Sequence, residues 1–262
     1  MAEEGKMPFT SHLEELRSRL IKCFLAIGVG FFASYHFHEK IFNVLMMPLL
    51  ISMPKGQDKL IFTGLAEAFI TYLKVSFIAG LFFASPVIFY QFWKFVTPGL
   101  YKNEKKYIVG FVIFSSIFFV GGASFGYFVV FPYAFKYLMS FANQNIQALP
   151  SIKEYLSFSM KLLISFGAVF ELPLVAFFLA KVGLLTDQFL RDKRKYAIVL
   201  SFIVAAILTP PDVISQCMMA IPILILYEIS VIVVKVVCRN KRRRQESDLE
   251  EAAEEDKVVE VP

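Results

Sequence analysis

Six long apolar runs constrain this chain more than any other feature. They cover roughly Leu20–Phe37, Phe69–Val96, Tyr107–Leu138, Leu156–Leu179, Tyr196–Leu208 and Val213–Val237. An α-helix needs about 20 apolar residues to cross a hydrocarbon core of about 30 Å. Thirty Phe in 262 residues, at 57% apolar and only 19% charged, could not be hidden inside a water-soluble fold of this size. The second and third runs exceed the need, so they tilt or extend past the membrane. The fifth is too short to cross unaided and ends in Thr209-Pro210-Pro211-Asp212. The last two runs are then either two short or tilted crossings, or one re-entrant hairpin. Strongly basic flanks on both sides of the pair favour two crossings. The sequence thus predicts an all-α integral membrane protein with six transmembrane helices. The membrane domain covers 1–239, and a charged tail, expected to be disordered, covers 240–262.

Charge placement sets the orientation. Lys6, Arg17, Arg19 and Lys22 precede the first span. Lys102, Lys105 and Lys106 sit between spans two and three, and Arg191, Lys193, Arg194 and Lys195 between four and five. Arg239 and Lys241 to Arg244 follow the sixth. The remaining loops carry fewer cations, so both termini are expected on the cytoplasmic side. Met1 to Thr10 is polar, with no cleavage site after the first run, so that run is expected to stay as an anchor. The first and third outer loops are long enough to form a structured cap.

Several chemistries find no support. Cys23, Cys217 and Cys238 are scattered, and His12, His36 and His38 match no metal motif. There is no Walker A loop, dinucleotide fingerprint, HExxH or nucleophile elbow. No catalytic residue, cofactor or metal is therefore expected. Lys241 to Arg244, at a membrane exit, suits anionic lipid far better than nucleic acid.

Four stretches carry polar chemistry. In Ser11-His12-Leu13-Glu14-Glu15-Leu16-Arg17-Ser18-Arg19-Leu20, apolar residues recur at helical spacing, predicting an amphipathic helix into span one. Ser11 and Glu14 match a capping box. Glu15 either pairs with Arg19 at i,i+4 or offers a carboxylate to a cationic ligand. In Tyr90 to Lys106, aromatics including Trp93 suit an interfacial belt, and Glu104 is the only acid in the loop. Glu171 in span four and Glu228 in span six are carboxylates at membrane depth, either functional or bonded between helices. Around Thr209-Pro210-Pro211-Asp212, Asp212 suits a helix N-cap, with Ser215 and Gln216 just inside the membrane.

Taken in order, seven motifs resemble the TatC family, a subunit of the twin-arginine protein translocase. They are His12-Leu13-x-Glu15-Leu16-Arg17; Pro86-Val87-Ile88 with Tyr90-Gln91-x-Trp93; and Pro98-x-Leu100-Tyr101-Lys102-x-Glu104. Then come Tyr127 to Pro132, Tyr155 to Phe158, Phe170-Glu171-x-Pro173, and Thr209 to Asp212 with Ser215-Gln216. The resemblance covers about Phe9 to Arg239 and implies a curved, glove-like bundle in the bacterial inner membrane. It implies a receptor, not an enzyme, for signal peptides bearing two adjacent arginines on folded cargo. Glu15 and Glu104 would lead that site, with Arg17 holding it by pairing and His12 as a further candidate. A guanidinium suits bidentate carboxylate bonds better than an ammonium does. Implied partners are single-span TatA- and TatB-type subunits, further copies of the chain and membrane lipids, with the proton motive force as energy source. Glu171, Thr209, Asp212 and Gln216 are the candidates for intramembrane or partner contact. From the residues alone two other readings remain: a proton-coupled solute transporter using Glu171, and an intramembrane hydrolase. The placement of all three histidines argues against a His-based hydrolase.

Overall fold

The computed structural model describes residues 9–53, 60–62, 64–96, 107–142, 149–209 and 212–259. Among them every extended element is helical, and they fall into two compact units, Met1–Phe170 and Glu171–Pro262.

The first unit is built from α1 (Phe9–Tyr35), α2 (His38–Ser52), α3 (Glu67–Val96), α4 (Tyr107–Phe125), a π-helical turn (Gly126–Val130), α5 (Phe131–Met139) and α6 (Ile152–Phe170). The expected amphipathic lead-in and first span are one continuous helix. Phe9 is already helical, so Ser11 lies inside α1 and the predicted capping box has no helix start to cap. Its place as an end-fixing device is taken by His12, whose ring stacks on Phe95 of α3. Helix α2 occupies what the sequence reads as an outer loop, bent 85° from α1.

Small residues let the helices approach. Helices α1 and α3 cross at Gly30 and Gly80, where a Cβ on Gly80 would stand 2.5 Å from the Phe31 amide nitrogen. Helix α4 meets α6 the same way: a Cβ on Gly122 would lie 2.4 Å from the Phe166 carbonyl oxygen. In lipid, where apolar side chains gain nothing by leaving an apolar solvent, such backbone proximity drives helix association. Trp93 departs from the predicted interfacial belt. It is 2% exposed, and its indole N–H donates to Ser115 Oγ of α4 at 2.8 Å. An internal hydroxyl satisfies the indole, so the ring goes into the core.

At the far end of α3, Glu67 ties the loops together. Its carboxylate accepts from the Gly64 N–H (3.1 Å), the Ser151 hydroxyl (3.1 Å) and the Lys153 N–H (3.0 Å). Ile61 forms a parallel bridge with Ser151 and accepts from the Ile152 N–H at 3.0 Å. The open N–H groups that begin α6 are thus met by another part of the chain.

The second unit contains α7 (Leu172–Val182), α8 (Asp187–Asp192), α9 (Arg194–Leu208) and α10 (Val213–Val259). Glu171 is the residue before α7, with Pro173 in the first turn, a position Pro tolerates because its missing N–H had no helical partner. Gly183 ends α7 at φ +91°, the left-handed conformation glycine adopts cheaply. Helices α9 and α10 form an antiparallel hairpin. Further along α10, Val234 is fully buried against Ala176 and Ala180 of α7. Helix α10 continues unbroken to Val259, a helical course where the sequence reading expects a disordered tail from residue 240. The Glu, Ala, Lys and Arg of this segment are strong helix formers, and opposite charges such as Arg242 and Glu246 fall four apart.

Four stretches are long and apolar enough to cross a membrane alone: Glu67–Val96, Ile108–Met139, Ile152–Val182 and Val213–Ser247. Helices α1 and α2 pass together as a bent pair. With the 15-residue α9, the apolar helices follow the six expected spans.

Candidate functional site

Two of the sequence-predicted candidates, His12 and Glu15, lie at the end where α1 starts and α3 stops. The helices are antiparallel there, so early residues of α1 meet late residues of α3. His12 stacks on Phe95 with centroids 4.4 Å apart and planes at 17°. Two turns further along α1, the Arg19 guanidinium reaches both ways. Its Nε donates to Glu15 Oε1 at 3.0 Å, and a terminal nitrogen donates to the same oxygen. Its other terminal nitrogen donates to Gln91 Oε1 of α3 at 3.4 Å. His12, Glu15 and Arg19 lie at i, i+3 and i+7, one helix face. Beside them the Lys94 ammonium sits over the Tyr90 ring, 5.5 Å from its centroid.

Burial differs along this chain of contacts. The Arg19 side chain is 11% exposed and that of Glu15 26%, so the carboxylate is the more accessible partner. Among the described residues both bonds from Arg19 fall on Oε1, and Oε2 of Glu15 receives no hydrogen bond.

Arg17, expected to hold the site by pairing, is exposed and has no ion-pair partner among the described residues. The pairing falls to Arg19 because a helix sets residues four apart face to face and turns residues two apart away from each other. Glu104 lies outside the described residues. The sequence reading named Gln91 only within a motif, with no role at the site, and did not name Glu67. Gln91 had a signal, a lone amide in an aromatic stretch; Glu67 had another, a lone acid opening a span.

The intramembrane candidates lie in the second unit. Gln216 donates from Nε2 to the Phe202 carbonyl of α9 at 3.0 Å, and Thr209 donates to Ala205 of its own helix at 2.9 Å. Asp212 caps α10, accepting from the Ser215 N–H at 2.8 Å. Glu171 is half-buried at the α7 start. Glu228 is not the enclosed mid-span carboxylate that the sequence suggested. It is about half exposed and pairs at 2.7 Å with Arg194, the first residue of α9. The antiparallel hairpin brings that cationic helix start level with it. No group of three potential metal-ligating side chains gathers among the described residues.

Comparison with known proteins agrees with this architecture. Residues 11–222 match the family model described as Sec-independent protein translocase protein (TatC). The Sec-independent protein translocase protein TatC of Desulforapulum autotrophicum is 55% identical over 98% of this chain and 93% of its own length. That of Escherichia coli K12 is 40% identical over 94% of this chain and 95% of its own. The crystal structure of a twin-arginine translocase receptor, TatC, superposes with a TM-score of 0.78 at 40% identity, covering 86% of this chain and 99% of that one. The family comprises translocase components rather than enzymes. This membrane chain belongs to the TatC family of Sec-independent protein translocase proteins.

Proposed function

We propose that this chain is the core receptor of a twin-arginine translocase in a bacterial inner membrane. It binds the Arg-Arg motif of signal peptides on folded cargo at the cytoplasmic face, where both termini lie. Glu15 and Glu104 supply the carboxylates, and His12 and Arg17 flank them. The observation that carries this reading is Glu15 itself: a carboxylate near the surface, paired with Arg19 through one oxygen only. A guanidinium brings planar paired donors to such an acceptor, whereas an ammonium is a strongly hydrated point charge. The distribution of Lys and Arg over alternate loops supports the orientation. Single-span TatA- and TatB-type subunits, and further copies of the chain, assemble on the membrane helices. Glu171, Thr209, Asp212 and Gln216 are the polar contacts proposed for that assembly, and the proton motive force drives transport.

Peptide binding to the purified chain in nanodiscs tests this. An Arg-Arg signal peptide should bind more tightly than its Lys-Lys twin. Glu15→Ala or Glu104→Ala should each weaken the Arg-Arg complex about tenfold or more, as expected for a lost charge-assisted bond. Unchanged affinity in both folded variants would remove these carboxylates from the site.

A further inference from the structure

We propose that Arg19, anchored by Gln91, is the positioning residue that orients the Glu15 carboxylate and so gives the site its preference for arginine over lysine. This rests on the receptor reading above and adds to it the source of the selectivity.

Three observations carry it. Both donors that Arg19 turns toward Glu15 fall on one oxygen, Oε1, so the other is presented rather than shared. The more deeply buried partner is the arginine, so the carboxylate is the more accessible group of the pair. The third guanidinium nitrogen is fastened to Gln91, 72 residues away on another helix. An ordinary i,i+4 pair on a helix surface stabilises weakly and leaves both side chains free to move. The tie to α3 turns such a pair into a fixed fork with one arm on each helix. The His12–Phe95 stack keeps the two backbones in register nearby.

The electrostatic consequence is selective. Arg19 already balances the charge of Glu15, so the pair attracts a bare cation poorly. What remains is an acceptor oxygen of fixed direction, which rewards a ligand whose donors are also fixed in direction. Guanidinium meets that condition; ammonium, with rotating donors on a flexible stem, does not. Loosening the acceptor should therefore weaken arginine binding while sparing lysine binding.

The test uses the full-length chain in nanodiscs with two synthetic signal peptides, Arg-Arg and Lys-Lys, and compares wild type with Arg19→Lys and Gln91→Leu. Arg19→Lys keeps the charge and removes the fork; Gln91→Leu keeps the fork and removes its anchor. Helicity and thermal unfolding identify folded protein. The expected result is a preference in wild type that falls about fivefold or more in each variant, mainly through weaker Arg-Arg binding. Two folded variants with the wild-type ratio would overturn the positioning role, as would equal weakening of both peptides, the mark of a merely structural part. If wild type binds both peptides alike, the receptor reading fails and takes this inference with it.

Discussion

Glu15 has two carboxylate oxygens and Arg19 occupies one, which leaves the protein with a charged group that is both held and available. The same economy operates at Trp93. Its ring is buried between α3 and α4, and its indole N–H would be costly in that apolar setting without Ser115 Oγ at 2.8 Å. Ser115→Ala should cost about 0.6–2 kcal/mol. Unfolding in a mixed-micelle titration is the measurement; a variant as stable as wild type would mean that the indole finds another acceptor. Neither device was visible in the sequence as such. The i,i+4 spacing of Glu15 and Arg19 was legible, and so was the aromatic cluster ending α3. That Gln91 would fasten the arginine, and that Trp93 would turn inward, depends on which faces of α1, α3 and α4 meet. Antiparallel pairing across dozens of residues decides that, and no local pattern encodes it.

Prolines accompany several features of the helices, and one carbonyl that a proline releases explains a cross-link. A proline lacks the N–H that would bond the carbonyl four residues earlier. Pro86 releases Phe82, whose carbonyl accepts from Ser85 Oγ at 2.7 Å. Pro132 follows the π-helical turn Gly126–Val130, where the bonding register has already shifted. Pro48 in α2 releases Val44, and the Tyr127 hydroxyl of the π-helical turn donates to that carbonyl at 2.5 Å. Tyr155 of α6 reinforces it by donating to Leu45 at 2.5 Å. Two tyrosines from the membrane helices therefore pin α2. The sequence reading did not find α2: a proline inside an apolar segment too short to span reads as loop. The long spans were legible because length and hydropathy suffice to find them, whereas the 15-residue α9 falls short on length. A double-mutant cycle tests the pin. Tyr127→Phe should cost about 0.5–1.5 kcal/mol and speed amide exchange in 41–52. In a Pro48→Ala background, where residue 48 supplies the N–H, the same change should cost little. Equal costs in both backgrounds would show that Tyr127 does not serve the carbonyl that Pro48 frees.

For the molecule as a whole, the length of α9 governs how α9 and α10 meet the membrane. Helix α9 has 15 residues and spans about 22 Å at 1.5 Å per residue, short of a hydrocarbon core of about 30 Å. Its ends are nevertheless polar. Arg194 pairs with Glu228 at one, and Asp212 caps α10 beyond the other. A hairpin with polar ends about 22 Å apart fits a membrane that thins locally, at a fraction of a kcal/mol per Å of mismatch. A re-entrant hairpin would instead bury the Asp212 turn in lipid, with one capping bond, from the Ser215 N–H, in place of solvent. Neither the basic flanks that favoured two crossings in the sequence nor the side on which the C-terminus lies distinguishes these, because a hairpin that crosses twice and one that never crosses both return the chain to its starting side. The turn itself can. With Cys23, Cys217 and Cys238 replaced by Ala, single cysteines at Asp192 and Val213, both exposed, should react with a membrane-impermeant maleimide from opposite sides. Labelling of position 213 only from the outside of intact cells, and of 192 only after the cells are opened, establishes two crossings. Position 213 unreactive from both sides while 192 still labels from within would make the pair re-entrant and reduce the crossings from six to four.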